Sequence, residues 1–324
     1  MLDGMTEMRA VTIPEFGAAE VLRLDAVKVP SPGPGQVTID VAYAGVNFAE
    51  VLYRQGVVDV PLPFVPGIEV SGWIREVGPG VADLSPGQAV AALTIVESGG
   101  YAEVVTAAAD LVAPVGDLPL DVAAAVPSNS TTAFVLLDQV ARLEPGQSVL
   151  VHAAAGGVGS QLGQVARMLG AGRVVGTVGS AAKVQVAREF GYSEVLLRDR
   201  LGEAGTFDVV VDMVGGPARR ASLDLLAPMG RLVVMGNASG ADDVALSPNE
   251  LWFANKTVSG FNLAAYSAAF PADAGRALRR AVTAAGRGLR VRVEHMPLDQ
   301  AAEAHRRIES GATTGKLVLD VRPA

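Results

Sequence analysis

Three glycines within four positions mark the part of the sequence best suited to hold a charged ligand: Gly156, Gly157 and Gly159. The apolar run at residues 149–151 precedes them and apolar residues at helical spacing follow, so they lie between a predicted strand and a predicted helix. A glycine turn in this position lets the chain approach a phosphate, and the first turn of the helix offers it free amides and a partial positive charge. With Ala154 at the first position, the spacing matches the fingerprint of a dinucleotide-binding turn. The residues expected to contact the diphosphate are Ala155, Gly156, Gly157, Val158 and Gly159.

The segment after the next predicted strand indicates which dinucleotide the turn binds. Residues 176–183 contain no aspartate or glutamate, whereas folds that bind NAD place an acid in this region to hold the ribose hydroxyls. Ser180 can donate a hydrogen bond to a 2′-phosphate, Lys183 can supply a positive charge, and Arg198 can add a forked contact from the following strand. The sequence therefore predicts NADP(H) as the cofactor. For Lys183 alone, a solvated helix residue is the alternative interpretation.

The sequence has no cysteine and only three histidines, which limits metal chemistry. His152, His295 and His305 are far apart in the chain, and none belongs to a pair at helical metal-binding spacing. Disulfides and thiolate zinc sites are therefore impossible, and we expect no metal site. We interpret each histidine as a packing or hydrogen-bonding residue rather than as a catalytic one.

The composition narrows the class of protein. The 324 residues carry a net charge of −8, 50% of them are hydrophobic and 19% are charged. Such a chain folds rather than staying disordered, and its acidity argues against nucleic acid or an anionic membrane surface as a partner. No apolar stretch is long enough to span a membrane, and the residues before Met8 are expected to form a short mobile leader rather than a signal peptide. We expect a cytoplasmic protein.

Two patterns of predicted elements divide the chain. In the first third, short strands such as 37–43 and 70–77 are separated by turns rich in proline and glycine, which predicts a β-rich, barrel-like domain. From residue 148, five short apolar strands alternate with helices, which predicts an α/β domain with a doubly wound parallel sheet. After about residue 258 this alternation stops. The remaining elements, a helix at 273–285, a second helix that Asp299 is placed to cap and a strand at 316–319, are expected to rejoin the first domain. The predicted boundaries are 1–122, 123–260 and 261–324.

Segments along nearly the whole chain resemble one family. They are residues 45–48 (Gly-Val-Asn-Phe), 66–69 (Pro-Gly-Ile-Glu), 77–81 (Val-Gly-Pro-Gly-Val), 99–103 (Gly-Gly-Tyr-Ala-Glu), 145–159, 230–238 and 314–319 (Thr-Gly-Lys-Leu-Val-Leu). In order and spacing they are similar to the zinc-free quinone oxidoreductases, or zeta-crystallin-like enzymes, of the medium-chain dehydrogenase/reductase superfamily. The resemblance implies a GroES-like β-rich catalytic domain, a six-stranded Rossmann domain, a cleft between them and a homodimer.

The resemblance also assigns roles near the substrate. Asn47 matches an asparagine that lines the nicotinamide pocket, and Thr132 matches a threonine near the same ring. Tyr53 is a third candidate, although many relatives carry their tyrosine at the position of Leu52. An Asx-turn residue is the alternative interpretation of Asn47, and helix capping or packing is the alternative for Thr132.

Three further residues are expected near the cofactor because of the resemblance. Asn237 and Phe261 match positions whose backbone flanks the nicotinamide carboxamide. Lys316 matches a lysine near the cofactor cleft, and a surface lysine on a strand is its alternative interpretation. At Arg198 relatives often carry a tyrosine that grips the 2′-phosphate, a role that arginine can also fill.

Direct hydride transfer fits this inventory best, because the sequence shows neither a metal site nor an evident acid–base pair. The favoured acceptor is conjugated, a quinone or an α,β-unsaturated carbonyl, with catalysis by positioning and oxyanion stabilisation. Two other functions stay open. An enoyl-thioester reductase of lipid or polyketide synthesis would use a basic mouth for phosphate, for which Arg219 with Arg220 or Arg279 with Arg280 are candidates, although both pairs also fit solvated helix faces. A non-catalytic NADPH-binding protein is the third possibility.

Overall fold

A computed structural model describes residues 7–322 of the chain, so the predicted leader before Met8 lies almost wholly outside the described residues. The chain divides into two compact units. The first contains the residues up to Thr131 and those from Leu263 onward, and the second is Thr132–Asn262. The predicted boundaries at residues 122 and 260 fall earlier. At the first boundary the reason is a helix, Pro127–Val135, that begins in one unit and ends in the other.

Strands dominate the first unit and alternate with helices in the second. The strands are β1 (Glu7–Thr12), β2 (Arg23–Lys28), β3 (Gln36–Gly45), β4 (Glu69–Val77), β5 (Ala89–Leu93), β6 (Val104–Ala108), β7 (Val112–Pro114), β8 (Ser148–Val151), β9 (Arg173–Val178), β10 (Glu194–Leu197), β11 (Phe207–Asp212), β12 (Leu226–Val234), β13 (Thr257–Gly260), β14 (Val293–Pro297) and β15 (Lys316–Asp320). The α-helices are α1 (Phe48–Arg54), α2 (Leu120–Ala124), α3 (Pro127–Val135), α4 (Gly157–Met168), α5 (Val184–Arg188), α6 (Pro217–Asp224), α7 (Pro248–Ala254), α8 (Leu263–Ala269), α9 (Pro271–Gly286) and α10 (Ala301–Glu309). Within residues 7–322, no helix combines the length and apolar character needed to span a membrane.

The first unit is built on a mixed sheet. Its strands run in the order β14-β15-β3-β4-β5-β7, β6 also pairs with β3, and β1 and β2 form a separate ribbon. All neighbours in the larger sheet are antiparallel except β14 and β15. β3 lies in the middle because its alternate residues Val37, Ile39 and Val41 are fully buried in the core. The predicted GroES-like β-rich domain is confirmed, and β14 and β15 join its sheet from the far end of the chain.

The second unit is a parallel sheet of the Rossmann type. Its strand order is β10-β9-β8-β11-β12-β13. The chain steps outward from β8 in one direction and then returns to the other side, so the order reverses between β8 and β11. In such sheets, ligands bind outside the carboxyl ends of the strands at this reversal. Val149, Leu150 and Val151 in β8 are fully buried, as expected of a strand covered on both faces.

Of the six strands in this sheet, β13 is the one that no apolar run in the sequence indicated. Thr257–Gly260 is short, lies at the end of the strand order and is only partly buried. An edge strand of this kind needs no continuous apolar sequence, because one side of it stays open to solvent. The five predicted strands at residues 149–151, 174–175, 195–197, 209–211 and 232–234 all lie within observed strands.

The last helix starts differently from the prediction. A 3-10 turn, Leu298–Gln300, precedes α10, and Gln300 occupies the capping position without a side-chain hydrogen bond. The prediction that Asp299 caps this helix is therefore wrong, because Asp299 lies inside the 3-10 turn. His305 is fully buried on the packing face of α10, and burial lowers its pKa to about 3. It is therefore a neutral core histidine, as its spacing suggested.

His295 connects three elements of the first unit. Its Nδ1 lies 2.7 Å from Asp320 Oδ1 at the end of β15, and its Nε2 lies 3.3 Å from Asp121 Oδ2 in α2. The ring also meets Tyr43 of β3 edge to face, with centroids 5.6 Å apart. The hydrogen bond to Asp320 is the largest cause that raises the pKa of His295, and burial opposes it.

Stability of the first unit should therefore depend on pH through His295. Because the folded-state pKa is raised, the stabilising charge interaction is complete below the unfolded value of about 6.5 and is lost as the pH rises through the folded value. The difference in unfolding free energy between the wild type and His295→Gln should therefore be largest near pH 6 and shrink toward pH 9. Chemical denaturation at several pH values measures this difference. A difference that stays constant over the range would show that the histidine acts only through neutral hydrogen bonds.

Candidate active site

The glycine turn has the backbone geometry that the fingerprint requires. Ala153 adopts the left-handed region with φ of 53°, and Gly156 is extended at the start of α4. A Cβ atom on Gly159 would lie 2.2 Å from the carbonyl oxygen of Ala153, and one on Gly156 would lie 3.2 Å from the same atom. Side chains at Gly159 are therefore excluded, because the helix approaches the turn too closely.

The first turn of α4 offers a set of donors that fits a diphosphate. Gly156 has no side chain with which to cap the helix, so no side-chain hydrogen bond covers this end of it. The helix is 12 residues long and carries no acidic residue in its first turn. Its N-terminal amides and partial positive charge therefore suit an anion, which matches the contacts predicted for residues 155–159.

The three residues predicted to recognise a 2′-phosphate cluster at the ends of two neighbouring strands. Ser180 and Lys183 follow β9, Arg198 follows β10, and these strands pair in parallel. Arg198 Nη2 lies 3.7 Å from the position of a Cβ on Gly179, so the guanidinium extends across the end of β9. Burial and, next, the charge of Arg198 lower the pKa of Lys183. Two nearby cations that repel each other are suited to bind an anion between them.

A buried ion pair holds the loops at the carboxyl ends of β11 and β12. Asp212 is fully buried, accepts two backbone amides of the following turn and accepts a hydrogen bond of 2.9 Å from Arg219 Nε. Arg219 also donates to Asp243 and to the carbonyl of Gly236, each at 2.7 Å. All three guanidinium nitrogens of Arg219 thus form hydrogen bonds that connect the loops after β11 and β12.

Asn237 and Phe261 lie at the same edge, after β12 and β13. The Asn237 side chain is occupied within its own loop, since Nδ2 donates to the carbonyl of Ala241 at 2.8 Å. Its Oδ1 faces Gly215 so closely that a Cβ there would lie 2.0 Å away. Phe261 continues the pairing of β13 through its amide, which donates to the carbonyl of Val234 at 2.9 Å. Contact through the backbone, as predicted for both residues, is compatible with this arrangement.

His152 is a structural residue behind the glycine turn. It is fully buried, with Nδ1 2.9 Å from Thr177 Oγ1 and Nε2 2.7 Å from Ser222 Oγ. Ser222 donates its single hydroxyl proton to the carbonyl of Ala218, so its oxygen accepts from Nε2–H of the histidine. Burial lowers the pKa of His152 to about 4, and the ring is therefore neutral.

In the first unit, Asn47 belongs to a buried cluster of charged groups. Its Oδ1 accepts a hydrogen bond of 2.5 Å from Lys316 Nζ, and its Nδ2 donates to Glu69 Oε1 at 2.9 Å. Lys316 also forms an ion pair with Glu69. The backbone amide of Asn47, which precedes α1, donates to Glu50 Oε2 at 2.6 Å. These contacts bring two of the predicted site residues, Asn47 and Lys316, together.

The two carboxylates of this cluster are fully buried and differ in their partners. Glu69 pairs with Lys316 and accepts the amide of Ser128 at 2.7 Å. Glu50 instead accepts backbone amides, including that of Ile68 at 3.1 Å, and burial raises its pKa to about 7 against the attraction of Lys316. Lys316 is 3% exposed, and its charge is paired with that of Glu69. The cluster holds Asn47 in place, and the predicted position of Lys316 near the cofactor stays a prediction.

Tyr53 and Thr132, the other two residues predicted near the substrate, lie in separate units. Tyr53 is in α1, and its ring meets Phe64 edge to face with centroids 5.7 Å apart. Burial raises its pKa to about 12, with a smaller contribution from Glu50, so the phenol stays protonated at neutral pH. Thr132 is buried in α3 and begins the second unit. Their catalytic roles stay predictions.

The two arginine pairs considered for a basic mouth differ. Arg219 is buried in its ion pair, and Arg220 is bonded to carboxylates of Asp224 and Glu250. Arg279 and Arg280 are exposed on α9. The first pair is therefore a structural feature of the second unit and does not provide a phosphate site.

Comparison with known protein families gives matches in both units. Residues 33–117 match the profile of the alcohol dehydrogenase GroES-like domain, and residues 186–319 match that of a zinc-binding dehydrogenase. The chain is 34% identical to a probable quinone oxidoreductase of Schizosaccharomyces pombe over 95% of its length and 96% of that protein. The chain belongs to the quinone oxidoreductase (zeta-crystallin-like) family of medium-chain dehydrogenase/reductases.

Solved members of this quinone oxidoreductase family are similar in structure to this protein over nearly the full length of both chains. The Escherichia coli quinone oxidoreductase complexed with NADPH superimposes with a TM-score of 0.88, at 30% identity, over 96% of this chain and 99% of that one. A mycobacterial protein complexed with NADPH gives a TM-score of 0.87 at 34% identity, again over 96% and 99% of the two chains. Both comparisons support the predicted pairing of a GroES-like and a Rossmann domain.

One of the family profiles is described as zinc-binding, which makes the metal inventory of this member relevant. Among residues 7–322, no group of three or more histidine, aspartate or glutamate side chains is arranged to hold a metal ion. The sequence also lacks cysteine. The expectation that the protein binds no metal stays a prediction.

Sequence reasoning missed three acidic residues that organise the quinone oxidoreductase fold. Glu50 follows Asn47 at the spacing of a capping box, a signal that was available in the sequence. Glu69 and Asp212 gave no comparable signal, because Lys316 is distant in the sequence and Arg219, seven positions after Asp212, is not at the spacing of a known local motif.

Proposed function

We propose that this protein is an NADPH-dependent, zinc-independent reductase of quinones or α,β-unsaturated carbonyl compounds. The observation that carries the proposal is the cluster of Lys183 and Arg198 beside the glycine turn, in a segment without acids. The two solved relatives that hold NADPH support the same choice of cofactor. NADPH, when bound, supplies a hydride from its nicotinamide ring.

The histidines and Tyr53 offer weak proton donors, which favours conjugated acceptors, and Glu50, with a pKa of about 7, is bonded to the backbone amides of Asn47 and Ile68. His152 and His305 are buried and neutral, with pKa values of about 4 and 3. His295 is held between two carboxylates, and Tyr53 has a pKa of about 12. A conjugated acceptor becomes an enolate or quinol anion that can take its proton from water, whereas a simple ketone needs a stronger donor or a Lewis acid. Positioning by the buried cluster around Asn47 is the main contribution of the first unit.

A panel of acceptors tests this proposal. Oxidation of NADPH is followed by its absorbance with 1,4-naphthoquinone, cyclohexenone and a crotonyl thioester as separate acceptors. We expect turnover with the quinone or the enone and little with the thioester. Preferential turnover of the thioester would assign the protein to the enoyl-thioester reductases, and tight NADPH binding without turnover of any acceptor would assign it a non-catalytic role.

We also propose that the protein forms a homodimer through the open edge of the second unit. β13 lies at one end of the strand order, so its outer backbone groups are available for pairing. Nearby in the chain, Trp252 and Phe253 of α7 stack with ring centroids 4.6 Å apart and are 70% and 76% exposed. A stack of two exposed aromatic rings is typical of a surface that another protein covers.

Replacing both aromatic residues should separate the subunits. Sedimentation equilibrium of the wild type should give twice the chain mass of 33.2 kDa, and Trp252→Glu with Phe253→Glu should give the monomer mass. Val96→Glu is the matched control, because Val96 is 50% exposed in the first unit and its replacement should leave the dimer intact. A wild type that sediments as a monomer would contradict the proposal.

A further inference from the structure

The side chain of Tyr192 forms a hydrogen bond with α4, the helix that begins at the glycine turn. It is buried, and its hydroxyl donates to the carbonyl oxygen of Gly159 in the first turn of α4. In a helix the same carbonyl oxygen also accepts the amide four residues later, here that of Gly163. The hydroxyl therefore bonds to the carbonyl end of one rung of α4.

Two glycines make room for the tyrosine ring. A Cβ atom on Gly163 would lie 2.4 Å from the carbonyl oxygen of Phe190 and 2.6 Å from Cε2 of Tyr192. One on Gly176 in β9 would lie 2.5 Å from Cβ of Ala154 and 2.9 Å from Cδ1 of Tyr192. The ring thus fits between α4 and β9, and its close approach is one of the contacts that exclude larger residues at both glycines.

We propose that Tyr192 is a positioning residue for the diphosphate of the cofactor. Its hydroxyl fixes the carbonyl of Gly159, the third glycine of the fingerprint, and so fixes the first turn of α4 whose amides face the ligand. A hydroxyl that bonds to a carbonyl of the helix ladder affects the local course of the helix, and the amides of that turn are positioned with it. This inference rests on the proposed NADPH site and adds a residue that does not itself contact the cofactor.

A purely structural role for Tyr192 predicts a different result from a positioning role. Burial of the ring and of its hydroxyl would stabilise the second unit equally for every ligand. Positioning of the first turn acts only on ligands that carry the diphosphate. Adenosine 2′-monophosphate carries the 2′-phosphate that Lys183 and Arg198 are proposed to hold but lacks the diphosphate, so it separates the two effects.

The test compares Tyr192→Phe with the wild type by calorimetric titration of both ligands. We expect the variant to bind NADPH roughly fivefold to tenfold more weakly, the effect of about one hydrogen bond. Its affinity for adenosine 2′-monophosphate should change less than about twofold on the same argument. Tyr101→Phe is the matched control, since it removes a buried hydroxyl near His305 in the first unit and should leave both affinities unchanged.

Each outcome of this test decides the inference. A wild type that binds neither ligand contradicts the proposed function itself. A wild type that binds NADPH, together with a Tyr192→Phe variant that binds it equally well or loses both ligands in parallel, overturns the positioning role while leaving the function intact. Failure of Tyr192→Phe to fold would also overturn it, because the contact would then serve only stability.

Discussion

Lys316→Met should be among the most destabilising single substitutions in the first unit, lowering the free energy of unfolding by about 3–5 kcal/mol. Lys316 is almost fully buried and is the cation that pairs with Glu69, which is itself fully buried beside Glu50. Methionine keeps most of the side-chain volume and removes the charge. The loss then comes mainly from Glu69, which is left without its cation in a site where water cannot replace it. Urea denaturation of both proteins at neutral pH measures the difference.

Two control variants separate charge from packing in this prediction. Lys316→Met combined with Glu69→Gln should be more stable than Lys316→Met alone, because the second change removes one unpaired charge. Lys28→Met replaces an exposed lysine on β2 and should change stability by less than about 0.5 kcal/mol. Equal stability of the wild type and Lys316→Met would show that the lysine is not the counterion of the cluster.

Removing both cations at the ends of β9 and β10 should abolish the preference for NADPH. Each charged hydrogen bond to a phosphate contributes about 1.5–3 kcal/mol, so Lys183→Ala with Arg198→Ala should weaken NADPH binding about 100-fold. NADH lacks the 2′-phosphate, and its affinity should change by less than about threefold, because the contacts with the glycine turn are kept. Titration of both cofactors with both proteins gives the ratio directly.

Comparing the change in affinity for NADPH with that for NADH separates recognition of the 2′-phosphate from a general effect on the fold. Arg200→Ala is a suitable control, since Arg200 is exposed close to Arg198 in sequence but is paired with Glu203. It should alter neither affinity. Equal losses of NADPH and NADH in the double variant would show that the cations stabilise the Rossmann domain in general and do not recognise a phosphate.

The parts of the fold that sequence could predict are those fixed by local patterns. The glycines at 156, 157 and 159 and the buried strand before them indicate one turn geometry, because only a close strand–helix approach requires glycine at 159. The five apolar strands are visible for a related reason, since a strand covered on both faces has no polar positions. The edge strand β13 has no such requirement, and its sequence therefore carried no signal.

The interactions that sequence could not predict depend on partners far apart in the chain. Lys316 and Asn47 are separated by 269 positions, and no local sequence pattern around either residue indicates that they are in contact. The expectation that Lys316 lies near the cofactor followed from resemblance and stays a prediction, whereas its role as the counterion of Glu69 became visible only in the fold. Tyr192 and Gly163 illustrate the same limit within one domain, because the role of each becomes visible only when the ring is seated against the helix.

Direct titration of the unmodified protein with NADPH and NADH tests the central claim, that the glycine turn and the adjacent cation pair hold a phosphorylated dinucleotide. We expect saturable binding of both cofactors, with NADPH at least about tenfold tighter, as two charged contacts to its extra phosphate require. Tighter binding of NADH, or no binding of either cofactor, would contradict the account.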